Sequence, residues 1–147
     1  MINLIVNSDG GARGNPGPAG IGVLITQNSN GKSEMIAEIA KYIGEKTNNQ
    51  VEYQGVIEAL KWIIENVKED IDVEFLLDSE LVVKQLNGEY KIKNEGLKPL
   101  FWEIRDLIIK IGGKKTFKHT FKHIRREENI HADELVNIAI DKHLKGK

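Results

Sequence analysis

The chain has 147 residues, no cysteine and a formal net charge of -1 at pH 7. The length predicts one domain, residues 1–147, that buries a core without disulfide bonds, and the lack of cysteine excludes thiol catalysis and thiolate zinc sites. A near-neutral chain is not typical of a nucleic-acid binder, so such a function would rest on local charge, for example the basic segment Lys114–Arg126. A solvated strand face is the equally favoured structural alternative for this segment. No apolar run approaches membrane-spanning length and no signal peptide is recognisable, so we expect a soluble, cytoplasmic protein without membrane contact.

The first third of the chain predicts three strands in an antiparallel meander. Ile2–Ser8 is aliphatic or β-branched at most positions, which is typical of a central strand buried on both faces. The turn-rich segment Gly10–Gly20 separates it from a second strand over Ile21–Thr26. Asn28–Gly31 indicates a hairpin turn into a third strand over about Ser33–Ile43.

Helices interleave with two further strands in the rest of the chain. Apolar residues recur at helical spacing in the first of these helices, for example at Val56, Leu60 and Ile63. In chain order the predictions are a helix capped within Thr47–Asn49, a strand over Asp72–Leu77, a short helix over Glu80–Leu86, a helix over Leu97–Ile111, a strand over Lys114–Ile124 and a final helix that Asn129 caps.

This order of elements predicts an α/β fold in which a mixed sheet is flanked by helices. A helical crossover from the meander to the fourth strand makes the first and fourth strands parallel neighbours. Asp9 and Asp78 follow those two strands directly, so we expect their side chains to lie next to each other at one edge of the sheet. Open sheets bind ligands at such a position.

Four acidic residues stand where buried elements begin or end: Asp9, Glu52, Asp78 and Asp133. Carboxylates at the edge of an apolar face are costly unless a cation compensates them. Magnesium and manganese prefer oxygen ligands, and two such ions roughly 3.5–4 Å apart can activate water and stabilise the leaving oxygen in phosphodiester hydrolysis. The four acids together therefore favour a metal site for phosphoryl transfer.

Each acid also has a purely structural interpretation. Asp9 could serve the glycine-containing turn, Asp78 and Asp133 could stabilise helix starts through the macrodipole, and Glu52 could be an ordinary first-turn acid. For any one residue taken alone the structural interpretation is the stronger one, and only the set of four favours the metal site.

The surroundings of the four acids closely resemble type 1 ribonuclease H over essentially the whole chain. The segments that carry the resemblance are Asp9–Gly22, Thr47–Tyr53, Asp78-Ser79 and Arg126–Asp133. The resemblance implies a ribonuclease H-like, five-stranded mixed sheet of order 3-2-1-4-5, with Asp9, Glu52, Asp78 and a more peripheral Asp133 as ligands of two Mg²⁺ or Mn²⁺ ions. It also implies hydrolysis of the RNA strand of RNA–DNA hybrids, which leaves 3′-hydroxyl and 5′-phosphate ends.

The same resemblance implies a set of substrate contacts. Backbone groups at glycines without side chains can approach RNA 2′-hydroxyls, which distinguish RNA from DNA. Helix capping and turn formation are the structural alternative for the polar members, and we favour it for Asn48 taken alone. The implied contacts are Gly10, Gly11 and Asn15 to the RNA strand, Thr47 and Asn94 to a phosphate of the DNA strand, and Asn48 and Asn49 to the minor groove and backbone.

The chain departs from the family in its connection between the second and third helices. Some members carry a basic, tryptophan-rich protrusion there, whereas Asn87–Lys93 supplies only Lys91 and Lys93. We therefore expect lower, strongly salt-dependent affinity for hybrids, or affinity that the strand Lys114–Arg126 helps to supply. Trp62 and Trp102 stand at core-like helical spacing, and we predict that both are packing residues.

The segment before Asp133 differs from relatives that carry a mobile histidine loop. His123 has the right spacing for that histidine but belongs to an alternating strand, so we discount it. The compact connection Arg125–Asn129 instead resembles family branches without that loop, and this implies a catalytic role for Arg126, whose guanidinium could meet the scissile phosphate. A salt bridge from Arg126 to Glu127 or Glu128 is the structural alternative. Glu80 replaces a glutamine common in relatives, and its added charge could weaken a base contact or alter metal affinity.

Two other functions share the same features. One is a non-catalytic module that binds RNA–DNA hybrids, although binding alone gains nothing from four carboxylates that face phosphates. The other is a related nuclease that acts on duplex RNA, or a domain of a reverse transcriptase. Nothing in the sequence demands more than a monomer.

Overall fold

The structure is a computed structural model that describes residues 1–146. The sheet has the strand order β3-β2-β1-β4-β5, as predicted. No helix within the described residues is long and apolar enough to cross a membrane. The elements are β1 Ile2–Ala12, β2 Gly17–Ser29, β3 Lys32–Lys46, α1 Asn48–Asn66, β4 Ile71–Leu77, α2 Glu80–Leu86, α3 Lys98–Gly112, β5 Phe117–His123, a short 3-10 helix Arg126–Glu128 and α4 Ile130–Lys145.

The pairing of the central strands places two acidic residues side by side. β1 pairs with β2 in the antiparallel sense and with β4 in the parallel sense. The last parallel pair is Ser8 with Leu77, so Asp9 and Asp78 each follow the end of the β1–β4 ladder. The adjacency expected from a helical crossover is confirmed.

The turn in the glycine-rich segment is shorter than the sequence predicts. β1 continues to Ala12 and β2 already begins at Gly17, with Gly10 paired to Ile21 across the ladder. The residues outside the strands are only Arg13–Pro16. Glycines are poor strand formers on their own, but here two helices pack against them, and this tertiary contact decides the outcome.

Two further predictions need correction. β1 is buried on one face through Leu4, Val6 and Ser8, whereas Ile5 and Asn7 on its other face are only half-buried. The fifth strand is shorter than predicted and lies at the sheet edge, where its alternating lysines face solvent.

Helices cover the two faces of the sheet. α1 packs on β1 and β2, α3 packs on α1 and β5, and α4 packs on β2, β3 and β1. Successive residues of a strand point to opposite faces, and a Cβ on Gly10 would meet Val51 of α1 while one on Gly11 would meet Val136 of α4. The two helices that carry Glu52 and Asp133 therefore approach β1 from opposite sides.

Glycines let both helices approach the sheet at backbone distance. A Cβ on Gly10 would lie 2.4 Å from the carbonyl oxygen of Val51, the residue before Glu52. A Cβ on Gly22 would lie 2.1 Å from the carbonyl oxygen of Ala132, the residue before Asp133. Neither backbone oxygen can rotate away. Glycine at these two positions therefore sets how closely the backbone that carries Glu52 and Asp133 approaches the sheet.

The tryptophan predictions are half wrong. Trp62 is partly buried and packs against the core. Trp102 is 60% exposed and makes an edge-to-face contact with Phe101, although its spacing is that of a core residue. The fully buried face of α3 consists of Ile104 and Ile111, and position 102 lies outside that face.

Replacing Gly22 with alanine should therefore push α4 off the sheet. We expect the free energy of unfolding to fall by about 1–3 kcal/mol, because the added methyl group overlaps a backbone carbonyl. Urea unfolding in the presence of a chelator measures this change. Gly112→Ala is the matched control, since a Cβ there meets nothing within 4 Å and lies in a helix; equal stability of the two variants would contradict this account of α4.

Candidate metal centre

Three carboxylates converge at the ends of β1 and β4 and in the first turns of α1. Asp9, Glu52 and Asp78 each offer an oxygen atom, and these atoms lie within 4.8 Å of one another. Asp9 and Glu52 are only 6% and 7% exposed. Two buried like charges at this separation are unfavourable without a cation or a proton between them.

The hydrogen bonds around Glu52 test whether a metal fits. Its Oε1 atom accepts a bond from the Gly10 amide at 3.3 Å, and that amide also donates to Asp9 Oδ1 at 2.9 Å. The Oε2 atom of Glu52 is buried without a partner among the described residues. Buried polar atoms nearly always have a partner, so this oxygen fits a ligand to a hard cation, and the oxygen-only donor set fits it too.

The pKa values of the clustered carboxylates reflect the same unfavourable burial of charge. The pKa of Asp9 is raised to about 7, chiefly by burial; a hydrogen bond with Glu52 lowers this pKa, and the charges of Asp78 and Asp133 raise it. Burial, followed by the charge of Asp9, raises the pKa of Glu52 well above its ordinary value. A divalent cation would replace the proton that these carboxylates otherwise hold near neutral pH.

Asp133 stands apart from the other three acids. It lies in the first turn of α4, half-buried, and lines the same cleft without belonging to the close group of three. Its amide donates to the carbonyl of Asn129, and its own carbonyl accepts a bond from Asn137 Nδ2 at 3.2 Å. The backbone amide and the backbone carbonyl of Asp133 are therefore both hydrogen-bonded at the start of α4.

The carboxylates open into a cleft of about 540 Å³ between the glycine-containing turn, α1, the start of α2 and α4. Its walls include nine of the predicted site residues and several that were not predicted. The predicted ones are Asp9, Gly10, Gly11, Asn48, Asn49, Glu52, Asp78, Arg126 and Asp133, and among the others are Arg13, Ser79 and Asn137.

Asn129 is a residue of the site whose role the sequence does not reveal. It was predicted to cap α4, and it stands at that position, but its side chain makes no capping bond. Its Nδ2 donates instead to the carbonyl of Ser8 at 3.0 Å and to Asp78 Oδ2 at 3.4 Å, while its Oδ1 accepts from Asn7. Asn129 is 1% exposed and joins the ends of β1 and β4 to α4. Only long-range contacts explain its burial.

The polar residues at the start of α1 have clear local partners. Thr47 caps α1 in a capping box with Gln50, which confirms its predicted capping role. Asn48 Oδ1 accepts from the Ala12 amide at 3.1 Å, and the Asn48 amide donates to Asn15 Oδ1 at 3.0 Å. Asn15 thus lies outside the cleft wall and braces the turn against α1.

Asn94 lies away from the carboxylates but close to the start of α1. Its Oδ1 accepts from the Gly96 amide at 2.7 Å. A Cβ on Gly96 would approach both Asn94 Oδ1 and Gln50 Nε2, at 3.1 and 3.3 Å. Asn94 and the Thr47–Gln50 capping box therefore border the same glycine. Gln50, which was not predicted, lies close to the predicted residues Thr47 and Asn94.

Arg126 is placed beside the carboxylates. It is exposed, lines the cleft, and its charge lowers the pKa of Asp78, which burial raises more strongly. Glu128 pairs with Arg125 at 3.3 Å rather than with Arg126. His123 ends β5, as its alternating context predicts, and does not line the cleft. Glu80 pairs with Lys84 at 3.0 Å in the first turn of α2, so its carboxylate is engaged outside the cleft.

Comparison with known proteins agrees with this geometry. The family model described as reverse transcriptase-like matches residues 7–139. Ribonuclease H of Erythrobacter litoralis is 34% identical over 96% of this chain and 98% of its own length. The structure of LC11-RNase H1, isolated from compost, is 46% identical, covers 98% of this chain and 99% of its own, and superposes with a TM-score of 0.85.

The fold and the carboxylate cluster thus define a protein of the reverse transcriptase-like, ribonuclease H-fold class. Within that class the chain belongs to the type 1 ribonuclease H family. It spans 36% of the length of the bifunctional protein Rv2228c of Mycobacterium tuberculosis, to which it is 34% identical over 140 residues. Some relatives are therefore much longer than the part matched here.

The raised pKa values predict an unusual pH dependence of stability without metal. Between the ordinary pKa of 3.8 and the value of about 7, the folded state holds a proton on Asp9 that the unfolded chain has lost, so stability falls as pH rises. Asp9→Asn should remove the contribution of Asp9 to this slope, while that of the buried Glu52 remains, and raise stability at pH 8 by on the order of 2 kcal/mol. Thermal unfolding with a chelator from pH 4 to pH 8 measures both.

Adding Mg²⁺ should stabilise the wild-type protein more at pH 8 than at pH 5, because the carboxylates are free of protons only at the higher pH.

A metal-free protein whose stability rises between pH 4 and pH 7, in wild type and Asp9→Asn alike, would contradict the raised pKa of Asp9.

The contacts of Asn129 predict an effect on metal binding. Asn129→Ala removes the donor that orients Asp78, and loss of such a bond typically weakens metal affinity by about 10- to 100-fold. Asn7→Ala is the matched control, because it removes one hydrogen bond to Asn129 but touches no carboxylate; it should cost about 1 kcal/mol of stability with affinity unchanged. Calorimetric titration with Mn²⁺ decides, and equal affinities of the two variants would contradict a role for Asn129 in the site.

Proposed function

We propose that this protein is a metal-dependent endoribonuclease that hydrolyses the RNA strand of RNA–DNA hybrids. The observation that carries the proposal is the convergence of Asp9, Glu52 and Asp78 within 4.8 Å, with a buried, unpartnered oxygen on Glu52. Membership of the ribonuclease H family supports the reaction type. LC11-RNase H1, whose structure in complex with RNA/DNA hybrid is 43% identical to this chain with a TM-score of 0.84, supports the substrate.

The metal ligands in this proposal are Asp9, Glu52, Asp78 and a more peripheral Asp133. When bound, two Mg²⁺ or Mn²⁺ ions supply an activated water and charge stabilisation for the leaving oxygen. Asn129 holds Asp78 and the start of α4 in register, so that Asp133 keeps its place at the edge of the site. The glycine contacts of α1 and α4 fix the backbone that carries Glu52 and Asp133.

The cleavage step breaks the bond between phosphorus and the 3′-oxygen of the preceding nucleotide. Water attacks the phosphorus, the 3′-oxygen takes up a proton, and the products end in 3′-hydroxyl and 5′-phosphate. In this proposal Arg126 donates to oxygens of the scissile phosphate, and the support for it is that its exposed side chain lines the cleft and its charge acts on Asp78. Its charge also offsets the repulsion between the phosphate and the carboxylates.

The substrate contacts carried by the other predicted residues form part of the proposal. Asn48 and Asn49 line the cleft and are assigned to the minor groove and backbone, and Gly10 and Gly11 let the RNA strand approach. The Gly10 amide already serves Asp9 and Glu52, so its missing side chain contributes shape more than a hydrogen bond. Contacts outside the cleft wall are assigned to Asn15 on the RNA strand and to Thr47 and Asn94 on a DNA-strand phosphate.

We further propose that residues 1–147 act as one ribonuclease H domain, and that the protein is a monomer in the cytoplasm. The described residues form one continuous sheet with helices on both faces, and the absence of cysteine fits a reducing compartment.

Cleavage of a labelled RNA–DNA hybrid tests the function. The wild-type protein should release 5′-phosphorylated RNA fragments in Mg²⁺ or Mn²⁺ and leave duplex DNA intact, because the site acts on a strand with 2′-hydroxyls. Asp9→Asn should lower the rate by about 100- to 1,000-fold, because the loss of a metal ligand removes electrostatic stabilisation of the transition state. A titration of each metal ranks them in the same experiment.

The controls separate the alternatives. Hybrid retained on a gel without turnover in any metal would favour a binding module, and equal cleavage of duplex RNA would favour a broader nuclease. Undiminished cleavage by a folded Asp9→Asn protein would overturn the metal site.

A further inference from the structure

Arg13 lies in the cleft but has no part in the chemistry proposed above. Among the described residues that line the cleft, two are cationic: Arg126 beside Asp78, and Arg13 in the turn after β1. The cleft also holds four carboxylates, which repel a polyanionic strand. Any cation on its walls therefore affects how a nucleic acid is held there.

The side chain of Arg13 is held in a fixed position by α4. Its Nη1 pairs with Asp141 Oδ1 at 2.7 Å, and its Nη2 donates to Asn137 Oδ1 at 3.3 Å. A guanidinium has five N–H donors, so several remain for a ligand. The side chain is 40% exposed, which leaves these donors open to the cleft.

The spacing along α4 gives the distance from the reacting centre. Asp133, Asn137 and Asp141 are successive residues of one helix face, so Asp141 lies two turns from Asp133, or about 12 Å at ~1.5 Å per residue. Arg13 bonds the residues one and two turns along this face from Asp133, so it lies toward the end of the cleft away from Asp133. It is placed for a different phosphate of the same strand, because that strand must lie across the carboxylates.

We propose that Arg13 is a phosphate-binding residue for the RNA strand, at a backbone position away from the cleaved bond, and that Asp141 and Asn137 are the residues that hold it there. The inference rests on the proposed function, since it requires the hybrid to run through this cleft. A prearranged guanidinium meets phosphate oxygens with charge-assisted hydrogen bonds. It also releases a counterion, so it contributes to the salt dependence of binding.

The test measures hybrid binding as a function of salt. Fluorescence anisotropy of a labelled hybrid is recorded with Mg²⁺ in the Asp9→Asn background, between about 50 and 200 mM KCl. Arg13→Gln should weaken binding about three- to tenfold and reduce the slope of log Kd against log salt by about 1. Asp141→Asn keeps the guanidinium, so it should keep the slope and weaken binding less than Arg13→Gln does.

Lys142→Gln is the matched control, since it removes an exposed cation from the same part of α4 that does not line the cleft; its slope should stay that of the parent. An Arg13→Gln slope equal to that of Lys142→Gln would overturn the inference. So would an Arg13→Gln variant with a lowered melting temperature and unchanged hybrid binding, because that result indicates that Arg13 only stabilises the fold. These outcomes are separate from a failure of the proposed function, which would be seen in the wild-type protein as a lack of hybrid cleavage.

Discussion

The structure depends on one unfavourable interaction, the burial of Asp9 against Glu52. Two carboxylates with almost no exposure repel each other and lose their hydration, and the donor they share is the single amide of Gly10. Folding energy from the rest of the domain must hold them together. The apolar contacts of α1 contribute to that energy, because Val51, Val56 and Leu60 of this helix are completely buried.

Glycines convert this packing into a defined geometry. Gly10 brings α1 to the sheet at the position of Glu52, and Gly22 brings α4 to it at the position of Asp133. In both cases the limiting atom is a main-chain carbonyl one residue before the acid. The spacing between acids on three different elements is thus set by contacts of main chain with main chain, which leave less freedom than contacts between side chains.

The sequence predicts the architecture well because local and topological rules agree on it. Hydrophobic periodicity located the strands and helices, and the helical crossover between parallel strands placed Asp9 beside Asp78. Asn129 shows where such reasoning ends, since its position favours a cap while its side chain is used by Ser8, a residue distant in sequence. Trp102 shows a second limit, because spacing alone does not say which side of α3 the core will cover. The ends of β1 and β2 were misjudged for the same reason: the helices that stabilise extended glycines there are distant in sequence.

The raised pKa of Asp9 links metal capture to the release of protons. A carboxyl group with a pKa of about 7 is partly protonated in a neutral, metal-free protein, so each cation that enters must displace a fractional proton into the buffer. The heat of metal binding then contains the ionisation heat of that buffer. The apparent enthalpy of metal binding would therefore differ between a buffer with a large ionisation enthalpy and phosphate, although the site and the ion are unchanged.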